Sequence, residues 1–95
     1  EPVPARQAAA WGLIWEAVPE AGFADAWWAR ARTLATGPTA TYRNIKQALR
    51  RGLSNDLEAQ LLLEAELQGE LGHTHDFREG VLAFLEKRTA RFEGR

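Results

Sequence analysis

Phe84 and Lys87 stand three residues apart in Ala83-Phe84-Leu85-Glu86-Lys87-Arg88, a stretch that reads as helix. At that spacing two side chains are neighbours on one helix face. A flat ring beside a positive point charge could serve a ligand. The plainer reading is a core Phe and a solvated Lys, since helix-face aromatics are usually core. His73 and His75 flank Thr74. Their i, i+2 spacing closes no ligand set and no Cys accompanies them, so they read as surface residues rather than a metal site. Glu58, Glu64, Glu66 and Glu70 fall in a single predicted helix and read as a solvated or interface face, not as paired acids. Arg50-Arg51 is too short a basic run to imply phosphate binding.

Aromatic residues form the other concentration of chemistry. Trp11, Trp15, Trp27 and Trp28 are many for 95 residues. A binding platform is one reading; burial, within the domain or against a larger body, is the other. Trp28 sits at the flank of its helix face and is the expected interface residue.

The elements that carry these residues are helices. Pro4 suits a first helical position, and Ala5 to Ala10 read as a short helix ended by Gly12. Leu13 to Val18 is a short apolar run stopped by Pro19, which predicts a brief extended segment. In Phe23 to Ala35, a rotation of about 100° per residue puts Phe23, Trp27, Ala31 and Leu34 on one face. Gly37-Pro38 stops that helix and restarts the chain. From Thr39 to Arg51, Tyr42, Ile45 and Leu49 share a face. Asn55 with Glu58 resembles a capping box for a helix from about Asp56 to Leu71. Leu61, Leu62 and Leu63 are consecutive there, so that helix needs neighbours on more than one side. Thr74 caps a last helix with Asp76 in its first turn and Phe77, Val81, Phe84 and Leu85 as its apolar face. Arg91 to Arg95 read as a tail. The expected class is all-α: about four helices plus one short extended segment, in one domain spanning 1–95.

Composition narrows the partners. Twelve Lys+Arg against thirteen Asp+Glu give a net charge of -1, which argues against nucleic acid or an anionic membrane as partner. Without Cys there is no disulfide and no thiolate chemistry, which suits a cytoplasmic setting. No apolar run approaches the roughly 18 residues of a membrane span. The chain starts Glu1-Pro2-Val3-Pro4 and holds no Met, as expected of a piece of a larger enzyme, a processed product or an engineered segment.

Five stretches, in order, resemble the C-terminal part of enoyl-CoA hydratase/isomerase (crotonase-family) enzymes. They are Ala8-Ala9-Ala10-Trp11-Gly12-Leu13-Ile14-Trp15-Glu16-Ala17-Val18; Gly37-Pro38-Thr39 with Ile45-Lys46-Gln47-Ala48-Leu49; Leu57-Glu58 through Leu63-Glu64; Asp76-Phe77-Arg78-Glu79-Gly80-Val81 with Ala83 to Arg88; and Phe92-Glu93-Gly94-Arg95. The Trp11-Gly12-Leu13-Ile14-Trp15 version is most similar to the branch that isomerises the ring-epoxide of phenylacetyl-CoA. Thr89-Ala90 departs from the family, where two prolines are common.

The resemblance implies the C-terminal helical domain of the crotonase fold, lacking the ββα spiral core. That domain would cover the acyl-CoA pocket and mediate oligomerisation, as a trimer or hexamer, in phenylacetate or fatty-acid catabolism. It implies that Phe84 and Lys87 contact the adenine and phosphate end of acyl-CoA, with no tightly bound cofactor. It also places the oxyanion hole and the acid/base carboxylates in the core, so the chain alone is expected to hold no catalytic residue and to be inactive. The competing reading is a free-standing helical interaction module with no catalytic link.

Overall fold

The computed structural model of the chain describes residues 1–95. Five α-helices follow in order: α1 (Ala5–Ala10), α2 (Phe23–Ala35), α3 (Thr39–Gly52), α4 (Leu57–Gly72) and α5 (His75–Glu86), with a 3-10 turn at Glu20–Gly22 before α2. There is no strand. No helix is long and apolar enough to cross a membrane. The chain divides into two compact units, residues 1–32 and 33–95, and the division falls inside α2.

Two local expectations are corrected. The short extended segment expected over Leu13 to Val18 begins as a bend over its first three residues and contains no strand. Gly12 takes φ +75°, which lets the end of α1 wrap back so that the Leu13 amide donates to the Ala8 carbonyl at 2.9 Å. Leu13-Ile14-Trp15 therefore form a bend, and no strand pairs with the residues that follow. The cap of α4 is Asp56 rather than Asn55: its Oδ1 accepts from the Ala59 amide at 2.8 Å. The helix begins one residue later than the Asn55–Glu58 pairing requires, so the three-residue cap spacing runs from 56 to 59. Asn55 instead donates from Nδ2 to Gln60 Oε1 at 3.1 Å. Thr74 does cap α5, its Oγ1 accepting from the Phe77 amide at 3.1 Å.

In the second unit, α4 packs against both α3 and α5. The buried residues of the chain are Leu67, Ala83, Asn44 and Asp76. Half of that interior is polar, so the structure must satisfy it by hydrogen bonding. Asn44, on α3, does this across the seam with α4: its Nδ2 donates to the Leu67 carbonyl and to Glu70 Oε2, each at 3.3 Å. Gln60 of α4 answers with a bond from Nε2 to the Ala48 carbonyl at 3.1 Å. The apolar stripes named from periodicity lie on helices as expected but are largely open. Phe23, Trp27, Leu34, Ile45, Leu49, Phe77, Val81, Phe84 and Leu85 are all exposed. Of Leu61, Leu62 and Leu63, only Leu63 is half-buried.

Candidate functional site

The site is built on the end of α5 and the residues after it. Asp76 and Glu79 lie three apart and so one above the other on the first turns of this helix. Both turn toward the terminal segment rather than toward solvent. Asp76 is 3% exposed. Its Oδ1 accepts from the Glu93 amide at 2.7 Å and its Oδ2 from the Gly94 amide at 2.8 Å. Its own amide donates to the Arg95 carbonyl at 2.9 Å. Burial works against a charged Asp76, but the two amides, together with His75, outweigh it and hold the carboxyl below its ordinary value.

Glu79 serves the other end of the same segment. Arg88 grips it with two bonds, Nη1 to Oε1 at 2.6 Å and Nη2 to Oε2 at 3.1 Å. The Arg91 amide adds a third to Oε1 at 2.7 Å. This is the planar two-point geometry in which Arg and carboxylate bind best. The Arg88 guanidinium, then the Arg91 amide, hold the Glu79 carboxyl down at about 2. Arg88 is in turn pushed above its usual value by Glu79 and Glu86.

Lys87 stands at the turning point between α5 and the terminal strap, residues 88–95. Its φ of 54° and ψ of 39° are left-handed, and it is the one non-glycine residue with positive φ. A helix commonly ends this way, but the position usually carries Gly, because a Cβ there costs roughly 1–2 kcal/mol. The reversal is closed by bonds from the Lys87 amide to the Phe84 carbonyl at 3.3 Å and from the Arg88 amide to the Ala83 carbonyl at 3.0 Å. Phe84, one turn back, is 82% exposed. It lines an apolar groove of about 430 Å³ with Phe77, Val81, Leu85 and, from the strap, Phe92. The strap also approaches closely elsewhere: Gly94 takes φ +77°, and a Cβ there would lie 2.6 Å from Thr39 Oγ1.

Phe84 and Lys87 thus lie on adjacent turns at the end of α5, both exposed, around one groove and one reversal. The core-Phe reading does not hold within this chain. Sequence reasoning missed Glu79 and took 91–95 as a plain tail. The signal available was the acidic pair Asp76 and Glu79 on a helix followed by Arg88, which periodicity alone reads as solvated charge. Asn44 was missed as well.

Of the remaining candidates, His75 alone touches this site. His75 Nδ1 is 3.3 Å from Asp76 Oδ1 and serves the strap anchor, while His73 is exposed at the end of α4. No group of three or more His, Cys, Asp or Glu is arranged to hold a metal ion. Glu64 accepts from Gln60 and Glu70 from Asn44. In the first unit none of the four Trp is buried. Trp27 and Trp28 stack with centroids 4.5 Å apart, Arg30 lies 5.6 Å from the Trp15 ring centre, and Arg32 lies 5.6 Å from that of Trp28. Trp28 is about half exposed, as is Trp27. Arg50 and Arg51 line an open groove of about 1160 Å³ along α3 with Lys46 and Arg43.

The chain is of the class of helical units that leave most of their apolar faces exposed, here with an aromatic and a cation at one helix end. Comparison with known proteins gives this class a family. The enoyl-CoA hydratase/isomerase family matches residues 1–95, and the chain belongs to it. It is 59% identical over 95 residues to a Rhodobacter capsulatus protein described as a "Probable enoyl-CoA hydratase", covering all of this chain and 37% of that one. It is 45% identical over 91 residues to the 1,2-epoxyphenylacetyl-CoA isomerase of Escherichia coli, covering 96% of this chain and 35% of the relative. The crystal structure of an enoyl-CoA hydratase from Bacillus anthracis superposes with a TM-score of 0.83 at 31% identity, covering 96% of this chain and 35% of that one. The chain therefore spans little more than a third of the relatives it matches. Its fold is the all-helical, C-terminal part of the crotonase architecture.

Proposed function

We propose that this chain is the part of an acyl-CoA hydratase/isomerase that covers the acyl-CoA pocket, joins subunits, and offers Phe84 and Lys87 to the adenine and phosphate end of CoA. The observation that carries this is the outward-facing apolar surface. Twenty large hydrophobic residues are exposed while only Leu67 and Ala83 form a buried apolar core. Apolar surface on that scale marks a face meant to be covered. The covering bodies would be the ββα core of the same enzyme and neighbouring subunits in a trimer or hexamer. Chemistry would belong to that core, whose backbone donors meet the negative charge that develops on the thioester oxygen. The 95 residues alone would then turn over no substrate. Their affinity for CoA would also be weak, about millimolar or worse, because the pantetheine and thioester are left unheld.

The 45% identity to a 1,2-epoxyphenylacetyl-CoA isomerase supports a place in phenylacetate breakdown, and the Trp11 to Trp15 stretch agrees with it. Two measurements on the purified chain test the proposal. Crotonyl-CoA and an unsaturated phenylacetyl-type thioester should show turnover no faster than buffer. Sedimentation should show a species larger than the 10.6 kDa monomer. Measurable turnover, or a strict monomer at high concentration, would overturn the corresponding half of the reading. A free-standing interaction module with no catalytic link remains the competitor, and Phe84→Ala and Lys87→Ala in the full-length enzyme decide against it if they raise KM for acyl-CoA.

A further inference from the structure

We infer that Glu79 is a positioning residue for the phosphate-bearing end of the acyl-CoA ligand: it touches no ligand itself, but holds the left-handed reversal on which Lys87 stands. This rests on the reading of Lys87 as a CoA contact. A lysine in a left-handed cap is locally disfavoured, and a backbone held in such a state persists only where its surroundings over-determine it. Here the determinants can be named. Upstream, the reversal is closed onto Ala83 and Phe84 by backbone bonds. Downstream, the next residue, Arg88, is held by both oxygens of Glu79. Three residues on, the Arg91 amide is held by the same carboxylate. Glu79 thus fixes the exit path of the chain on one side of Lys87, and its side chain is only 14% exposed. Relaxing that grip frees Lys87 to leave the left-handed state. A glycine in the same place would meet the backbone requirement and lose the ammonium.

Asp76 provides the internal control. It anchors residues 93–95, at the far end of the strap, and makes no bond to Arg88 or Arg91. General loosening of the terminus would follow from loss of either carboxylate. Misplacement of Lys87 would follow only from loss of Glu79.

The test is kinetic and is made in the full-length enzyme with crotonyl-CoA and with the crotonyl thioester of pantetheine, which lacks the nucleotide. Glu79→Ala should raise KM for crotonyl-CoA by roughly two- to fivefold, the range of one partly exposed charge contact, with kcat unchanged. KM for the pantetheine thioester should stay at the wild-type value. Glu79→Gln, which keeps the shape and one good acceptor, should fall between. Glu79→Ala added to Lys87→Ala should raise KM no further, since both changes remove one interaction. Lys87→Gly should raise KM while increasing thermal stability. Asp76→Asn, which loosens the strap only at its far end, should raise KM for crotonyl-CoA by less than Glu79→Ala does. An unchanged KM in Glu79→Ala alongside a raised KM in Lys87→Ala would overturn the positioning role and leave the CoA contact standing. An unchanged KM in Lys87→Ala would remove the contact and the positioning role together. Full additivity of the two changes, an equal rise in Asp76→Asn, or an equal rise with the pantetheine thioester would each reduce Glu79 to a structural residue.

Discussion

Replacing Asp76 by Asn tests how much the strap contributes to this small chain. The wild-type carboxylate receives two amides at 2.7 and 2.8 Å in a setting that is 3% exposed. A carboxamide has the same shape but presents one acceptor oxygen, so one of the two amides faces an NH2 group instead. A hydrogen bond to a charged group contributes about 1.5–3 kcal/mol, and the surviving bond becomes a neutral one of about 0.5–1.5 kcal/mol. Part of the loss is recovered because the strap is terminal and its freed amide can turn to water. About 1.5–3 kcal/mol of net destabilisation is expected. For a domain of this size each kcal/mol moves Tm by about 4–8 °C. The assay is thermal and urea unfolding followed by circular dichroism, with amide exchange of Glu93 and Gly94 read by NMR. Wild-type stability to within about 0.3 kcal/mol, with both amides still protected, would refute the idea that this carboxylate holds the strap.

Three further outcomes are expected. Asn44→Ala, which removes the donor to Leu67 and Glu70, should cost about 1–3 kcal/mol in urea unfolding, more than Ala replacement of an exposed Leu such as Leu53. Gly94→Ala should release the strap, seen as faster carboxypeptidase trimming, and adding Thr39→Ala should partly restore protection, because the closest atom to the new Cβ is Thr39 Oγ1. On acidification the Arg88–Glu79 grip should follow the depressed carboxyl. Because its folded value is lowered from 4.5 to about 2, its contribution is complete above 4.5 and is lost as pH falls from there through about 2. The Arg91 amide shift in an NMR titration should report that window, and a midpoint near 4.5 would contradict it.

The helices were legible because their punctuation is chemical. Pro38 after Gly37 and Gly72 at the end of α4 signal a boundary through backbone preference, and Thr74 before His75 through the side-chain oxygen that caps α5. The bend at Leu13 to Trp15 was not legible because an apolar run of six has no period that separates an extended segment from a bend. Burial was the larger miss. Periodicity says which residues share a face, as with Phe77, Val81 and Phe84, but not whether this chain supplies anything to cover it. The interior that does form rests on Asn44 and Asp76, polar residues whose partners lie 17 to 26 positions away along the chain. No local pattern announces such a bond. Phe84 and Lys87 could be singled out as neighbours, whereas the carboxylate behind them became visible only once the terminus had folded back.

The seam between α3 and α4 has an evolutionary consequence. Asn44 and Gln60 each reach a backbone carbonyl on the opposite helix, so sliding one helix by a turn would strand a buried amide. The relative setting of the two helices is therefore written in two uncharged polar side chains together with the buried Leu67. The exposed leucines of α3 and α4 take no part in that seam and can change with the body that covers them. A lineage can retailor the outer faces of α3 and α4 to suit a new neighbour, one residue at a time, while the pair itself keeps the same alignment.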